Sequence, residues 1–113
     1  MKGMVVNRLE WGAREPAKAF RRLAHHRVKG VVLHHSGVQD GPTGIAAVKA
    51  FEAYHMDNRK WDGIAYNWLV DPSGAVFEGR GGGWRGAATK GWNARSESVC
   101  YTCLLYTSPS PRD

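Results

Sequence analysis

The stretch VVLHHS, residues 31–36, decides the fold that this 113-residue sequence predicts. Gly30 breaks the preceding pattern, and the β-branched run from Val31 then predicts a buried strand. Successive strand residues point to opposite faces, so only one of His34 and His35 can face a given cleft. Imidazole is a common metal ligand, which makes a strand-end histidine a candidate ligand, although most such pairs are surface or hydrogen-bonded histidines.

One helix is predicted before this strand in the sequence and one after it. Residues 1–11 are mixed and predicted to be extended, whereas residues 17–24 are good helix formers and predict a short helix. From Ile45 the apolar positions recur at three- and four-residue steps, which predicts an amphipathic helix to about Met56. Thr43 is a suitable N-cap for that helix.

The second half of the sequence predicts a hairpin and one more strand. Residues 66–70 and 75–78 read as strands, and Asp, Pro, Ser and Gly at 71–74 are typical of a tight turn between them. Residues 98–102 predict a further strand. Because strands and helices alternate, the class is α/β or α+β.

The composition indicates one globular domain with an uneven charge. The chain is 42% hydrophobic and carries a net charge of +6, with eight Lys or Arg and two Glu in residues 1–33. A basic front can attract an anionic partner such as nucleic acid or the polyanions of a bacterial wall. It can equally be the solvated face of a helix carrying Arg14, Lys18, Arg21 and Arg22, and charge alone does not choose.

No targeting or membrane segment is predicted. The N-terminus lacks the apolar run of a signal peptide, and no stretch approaches the roughly 18 apolar residues of a membrane span. Cys100 and Cys103 form a C-x-x-C, half of a zinc knuckle or redox motif, but no second pair accompanies them.

The last eleven residues, 103–113, differ from the rest. The string CLLYTSPSPRD has no periodicity and resembles one reading frame of a sequencing-library adapter, a run met at the ends of truncated metagenomic genes. We predict that it is such an artefact and place the domain at residues 1–102. A natural disordered tail is the alternative.

Six segments, taken in order, resemble the family of peptidoglycan recognition proteins and type 2 amidases. They are RLEWGA at 8–13, VVLHHS at 31–36, YHM at 54–56, WDGIAYNWLV at 61–70, VFEGRG at 76–81 and GAATKGWN at 86–93. The resemblance implies an α/β fold with a single mixed central β-sheet flanked by helices, incomplete here at the C-terminus. It also implies zinc-dependent N-acetylmuramoyl-L-alanine amidase activity, as in phage endolysins.

By the same resemblance His34 is a ligand of one Zn²⁺ ion, and Tyr66 is the catalytic-site tyrosine that steadies an oxyanion. His35 would point away and pack beneath the site. The loop residues that would contact glycan or stem peptide are Arg80, Trp84, Arg85 and Asn93, although Trp84 could equally fill the core.

The sequence departs from the family pattern at two places. No histidine follows His55, so the second His and the Cys or Asp that complete the family's zinc site are missing, and the chain as given is expected to be inactive. Ala88 stands where many members carry His, which puts a proton-transfer or substrate-orienting role there in doubt.

The leading hypothesis is an endolysin-like amidase that cleaves the lactyl amide between muramic acid and L-Ala. It is expected to act as a monomer on peptidoglycan, held in the host cytoplasm until lysis and then reaching the cell wall. The alternative is a non-catalytic peptidoglycan-recognition module. Nucleic-acid binding is not expected, because no helix-turn-helix or stacking motif is present.

Overall fold

The computed structural model describes residues 5–37 and 42–103, which form a mixed five-stranded sheet with helices. The strands are β1 (Val5–Val6), β2 (Gly30–His35), β3 (Trp68–Val70), β4 (Val76–Glu78) and β5 (Ser96–Tyr101), and the helices are α1 (Arg8–Trp11) and α2 (Gly44–Ala53). The order across the sheet is β1-β4-β3-β5-β2. Among these five strands, only β3 and β4 pair antiparallel. The expected α/β class with one mixed sheet is confirmed.

The predicted hairpin is the β3–β4 pair. Trp68 lies opposite Glu78, and Val70 lies opposite Val76. Its turn is closed by one carboxylate oxygen, Asp71 Oδ1, which accepts hydrogen bonds from Ser73 N at 3.0 Å, Ser73 Oγ at 2.6 Å and Ala75 N at 3.1 Å. The turn chemistry is local, which is why the sequence predicts it well.

The prediction that residues 1–11 are wholly extended was wrong, because α1 begins at Arg8. A capping box fixes this short helix: Asn7 Oδ1 accepts from Glu10 N, and Glu10 Oε1 accepts from Asn7 N, each at 2.8 Å. Gly12 ends it in the left-handed conformation at φ 78°. Trp11 is 1% exposed, and its indole nitrogen donates to the Glu78 carbonyl at 2.8 Å.

The helix predicted at residues 17–24 is absent. The backbone there pairs with the glycine-rich segment, residues 79–86, instead of forming hydrogen bonds within a helical turn. Leu23 N donates to Gly83 O at 2.9 Å, and Arg85 N donates to Arg21 O at 2.7 Å. Leu23 is buried by this pairing. The basic side chains of residues 17–24 therefore do not share one helix face.

Helix α2 confirms the predicted amphipathic helix and continues as a π-helical turn, Tyr54–Asn58. It buries Ala47 and Val48 together with Glu52, whose carboxylate accepts from Arg14 N at 2.8 Å. Thr43 occupies the N-cap position but makes no side-chain capping hydrogen bond.

Strand β2 is an edge strand and not the fully buried strand that its composition predicts. It pairs only with β5, and Val31 and Leu33 are 68% and 58% exposed on one face. The core lies on the opposite face of the sheet, and its buried members are Trp11, Val48, Ile64, Leu69, Phe77 and Cys100.

In the described part of the chain no helix is long and apolar enough to cross a membrane. Of the residues predicted to be adapter-derived, 103–113, all but Cys103 lie outside the described residues.

Candidate functional site

Three polar side chains meet at the end of the sheet where β2 and β5 finish. His34 is opposite Cys100 in the strand register, on the core-facing side. The His34 and Tyr66 ring centroids are 5.5 Å apart, and His34 Nε2 lies 2.8 Å from Thr89 Oγ1. The two residues expected to form the catalytic centre are therefore neighbours.

His34 is half-buried, and burial lowers its pKa from the usual 6.5. At neutral pH the imidazole is therefore uncharged. That is the form in which histidine binds a metal or accepts a proton.

Tyr66 comes just before β3 and is half-buried. Burial raises the pKa of its hydroxyl, and a hydrogen bond with the Cys100 thiol adds to that effect. Burial likewise raises the pKa of Cys100 to about 11. Both groups remain protonated at neutral pH, so Tyr66 can donate a hydrogen bond to an oxygen that gains negative charge.

His55 adjoins this centre, a position that its place in the helix pattern did not reveal. It is 7% exposed, and its Nδ1 accepts from Ala65 N at 3.0 Å. Its ring is 5.0 Å from that of Trp61 and 5.6 Å from that of Tyr66. Burial, together with the positive charges of Arg80 and Arg59, lowers its pKa to about 4. A neutral His55 ring therefore contacts the Tyr66 ring.

His35 points to the opposite face of the sheet, as the alternation requires, but it is exposed there. The expectation that it packs beneath the site was wrong. Val31 and Leu33, on the same face of β2, are also exposed.

Besides backbone hydrogen bonds, the side chain of one asparagine attaches the glycine-rich segment 79–86 to the sheet. Asn67 is fully buried, and its Nδ2 donates to Gly81 O at 2.9 Å and Trp84 O at 2.6 Å. Its Oδ1 accepts from Ser98 N at 2.8 Å. A Cβ at Gly79 would lie 2.1 Å from the Tyr66 carbonyl oxygen, so only glycine allows this close approach.

Three of the four predicted substrate residues line one cavity of about 450 Å³. We call it the inner cleft, and its lining residues are Arg21, Asp62, Arg80, Arg85, Gly86, Gly91, Asn93 and Ala94. Asn93 also connects it to the catalytic end, because its Oδ1 accepts from Thr89 N at 2.9 Å. Thr89 in turn contacts His34.

The two arginines predicted to bind substrate have different environments. Arg80 is 7% exposed and fixed, since its Nε donates to Ile64 O at 2.8 Å and its Nη1 to Arg85 O at 3.0 Å. Its guanidinium carbon is 4.6 Å from the centre of the Phe20 ring. Arg85 Nε is buried without a hydrogen-bond partner. A buried donor of this kind favours an anionic or carbonyl ligand.

Trp84 is not among the residues that line the inner cleft. The guanidinium of Arg22 lies 5.3 Å from its ring centre, and the two residues form an isolated antiparallel bridge. Ala88, which replaces the family histidine, is half-buried.

A complete metal site is not formed by residues 5–37 and 42–103. They contain no group of three or more His, Cys, Asp or Glu side chains placed to hold a metal ion. His34 is a single candidate ligand, and a catalytic zinc site uses three protein ligands and a water.

Comparison with known proteins gives a consistent assignment. The family pattern described as Amidase_2, N-acetylmuramoyl-L-alanine amidase, matches residues 24–112. The chain is 35% identical over 100 residues to peptidoglycan-recognition protein SC2 of Drosophila simulans, covering 86% of this chain and 53% of that protein. It is 34% identical over 114 residues to the human N-acetylmuramoyl-L-alanine amidase, covering 93% and 20%. It thus spans about half or less of these relatives.

Solved structures agree with the fold. The bumblebee protein PGRP-SA superposes with a TM-score of 0.83 at 29% identity, covering 98% of this chain and 68% of that one. Peptidoglycan recognition protein LE, solved with tracheal cytotoxin, a monomeric diaminopimelic acid-type peptidoglycan, gives 0.82 at 29% identity, covering 88% and 60%.

Proposed function

Because this chain belongs to the Amidase_2 family of N-acetylmuramoyl-L-alanine amidases, we propose that it binds the muramyl peptide of peptidoglycan within a zinc-dependent amidase. The bond to be cleaved is the lactyl amide between muramic acid and L-Ala. One observation carries the proposal: His34, Tyr66 and Thr89 converge at the sheet end beside the inner cleft. The tracheal cytotoxin in the PGRP-LE structure and the name of the human relative support it.

The inner cleft suits the peptide part of this ligand. Its guanidinium groups on Arg80 and Arg85 can bind the carboxylates of a stem peptide through charge-assisted hydrogen bonds. The buried, unpartnered Arg85 Nε would gain a partner on binding. Asn93 is placed to bind an amide of the same peptide.

Tyr66 would act on the scissile amide. Its protonated hydroxyl can donate to the carbonyl oxygen, whose negative charge grows in the transition state. The neutral His55 beside it would position the ring without adding a competing charge.

The proposed zinc chemistry needs more than the described residues supply. His34 provides one neutral imidazole, and the remaining protein ligands have to come from outside residues 5–37 and 42–103. This single ligand favours a second candidate function, a peptidoglycan-recognition module without hydrolysis.

Binding is tested on the chain itself by titrating a soluble muramyl pentapeptide in a calorimeter. Replacing Arg85 with Gln should weaken binding by about ten- to hundredfold, because a charge-assisted bond is worth roughly 1.5–3 kcal/mol. Lys18→Gln, which removes one positive charge at an exposed residue outside the inner cleft, is the control and should bind as wild type. Equal affinity of the Arg85 variant would exclude the inner cleft as the peptide site.

Hydrolysis is tested on the complete gene product by zinc analysis and by the release of L-Ala amino groups from purified peptidoglycan. His34→Ala should lose both zinc and activity. Tyr66→Phe should keep zinc and slow release by roughly 10²-fold, as for removal of one oxyanion donor. Unchanged turnover in Tyr66→Phe would show that Tyr66 takes no part in the reaction. A wild-type protein without zinc or activity would favour the second candidate function, the recognition module. The endolysin-like role at the bacterial wall stays a prediction.

A further inference from the structure

A second cavity, of about 560 Å³, continues from the inner cleft. We call it the basic cleft, and it is lined by His26, Arg27, Lys29, Gly91, Ala94 and Arg95. Gly91 and Ala94 also line the inner cleft, so the two cavities adjoin. The peptide site proposed above does not use the basic cleft.

The basic cleft is cationic and not neutralised by the residues around it. None of its lining residues is acidic, and its basic side chains are exposed. Within the described ranges the recorded ion pair is Arg14 with Asp57, outside both cavities. Across the shared wall the inner cleft adds three arginines against a single carboxylate, Asp62. Positive charge therefore extends along both cavities, and such a path attracts a chain of negative charges.

The basic end of the sequence is gathered into this path by the fold. Because residues 17–24 pair with the glycine-rich segment instead of forming a helix, Arg21 reaches the inner cleft. The turn His25–Arg27 and the start of β2 bring Arg27 and Lys29 beside Arg95, since Lys29 N donates to Arg95 O at 2.7 Å. Cations from two distant parts of the sequence thus share one wall.

We propose that the basic cleft binds the phosphate groups of an anionic polyol-phosphate polymer carried by the bacterial wall. This inference rests on the proposed function for its setting, because the polymer would be linked to the same glycan whose peptide lies in the inner cleft. Lysine and arginine bind phosphate oxygens as point charges and as bidentate donors. The basic cleft would then hold the protein on walls that carry such polymers.

Nucleic acid offers the same phosphate chemistry but fits less well. Binding of single strands usually combines a basic groove with aromatic faces on which bases stack. The exposed aromatic beside the basic cleft is Trp92, and the Arg95 guanidinium already lies 4.2 Å from its ring centre. The continuity with the inner cleft also favours a polymer that is attached to peptidoglycan.

The test is co-sedimentation of the chain with purified walls that carry a polyol-phosphate polymer, and with the same walls after hydrofluoric acid has removed it. The double variant Arg27→Gln/Lys29→Gln should lose roughly tenfold in apparent affinity for intact walls at low salt, and its salt dependence should flatten. The matched control Lys18→Gln/Lys49→Gln removes the same charge at exposed residues outside both cavities and should bind as wild type. Circular dichroism checks that both variants fold.

Three results would overturn the proposal. One is an equal loss of affinity for intact walls in the two double variants, which would indicate that net charge alone determines binding. Another is equal binding of wild type to stripped and intact walls. The third is a 30-nucleotide DNA that binds more tightly than intact walls and displaces the chain from them. Titration with soluble muramyl pentapeptide is a separate readout: wild type that binds intact walls but not this peptide would contradict the proposed function and leave the phosphate site standing.

Discussion

At the scale of single residues, His55 shows how the fold sets a charge state. The sequence places it on the apolar side of a helix, next to the tyrosine and methionine of the YHM segment. In the structure it accepts a backbone hydrogen bond, lies against two aromatic rings and is close enough to Arg80 and Arg59 to feel their charge. The proton is therefore bound far less readily in the folded chain than in the unfolded one.

This shift predicts acid sensitivity. The stability that His55 contributes is fully present above the unfolded pKa of 6.5 and is lost as the pH falls towards about 4, its value in the folded state. We expect a loss of roughly 2 kcal/mol in unfolding free energy over this range after allowing for solvent screening. Urea unfolding at several pH values measures it.

His55→Gln keeps an acceptor for Ala65 N but does not titrate, so it should reduce the pH dependence. His26→Gln, at an exposed histidine, controls for the loss of one imidazole and should retain the wild-type slope. A His55→Gln slope as steep as wild type would show that other groups cause the acid loss.

At the scale of elements, Asn67 joins the start of β3 to β5 and to the glycine-rich segment. Its fully buried side chain donates hydrogen bonds to the glycine-rich segment and accepts one from Ser98 in β5. The same segment carries Arg80 and Arg85 into the inner cleft, so its attachment affects stability and ligand binding together.

Asn67→Ala should therefore destabilise the chain by about 3 kcal/mol, because several buried groups lose their partners. It should also weaken muramyl pentapeptide binding. Chemical denaturation and calorimetry measure the two effects, and Asn58→Ala, at an exposed asparagine, is the control. A loss below about 1 kcal/mol would mean that water replaces the lost bonds without cost.

Elements that depend on residues close to them in the sequence were predicted well. The β3–β4 hairpin and α2 follow from turn residues and helical spacing. Residues 17–24 were predicted wrongly, because their backbone hydrogen bonds go to a segment about sixty residues later, at Gly83 and Arg85. Helix propensity is a weak preference that such tertiary pairing overrides.

At the scale of the whole molecule, the exposed face of β2 predicts self-association, in place of the monomer expected from the sequence. Val31 and Leu33 are largely exposed on an edge strand whose outer side pairs with no described strand. Such an edge is a template for association between chains. Sedimentation velocity should show a larger monomer fraction for Leu33→Thr than for wild type.

Leu9→Thr is the matched control, since Leu9 is 90% exposed but lies in α1. It should leave the association unchanged. Equal behaviour of the two variants would indicate that exposed leucine in general, and not the strand edge, causes association.

The sequence alone determined the family through its ordered motifs, which are recognised without knowledge of long-range contacts. The resemblance to that family then implied the mixed α/β sheet and a common site for His34 and Tyr66. Among the residues predicted to bind substrate were Arg80, Arg85 and Asn93, which line one cavity in the structure. Only the tertiary structure decided that β2 lies at the sheet edge, that His55 is neutral and in contact with Tyr66, and that the basic front forms a cleft with Arg95. Edge position, desolvation and the meeting of distant charges all depend on contacts between remote segments, and no local pattern encodes them.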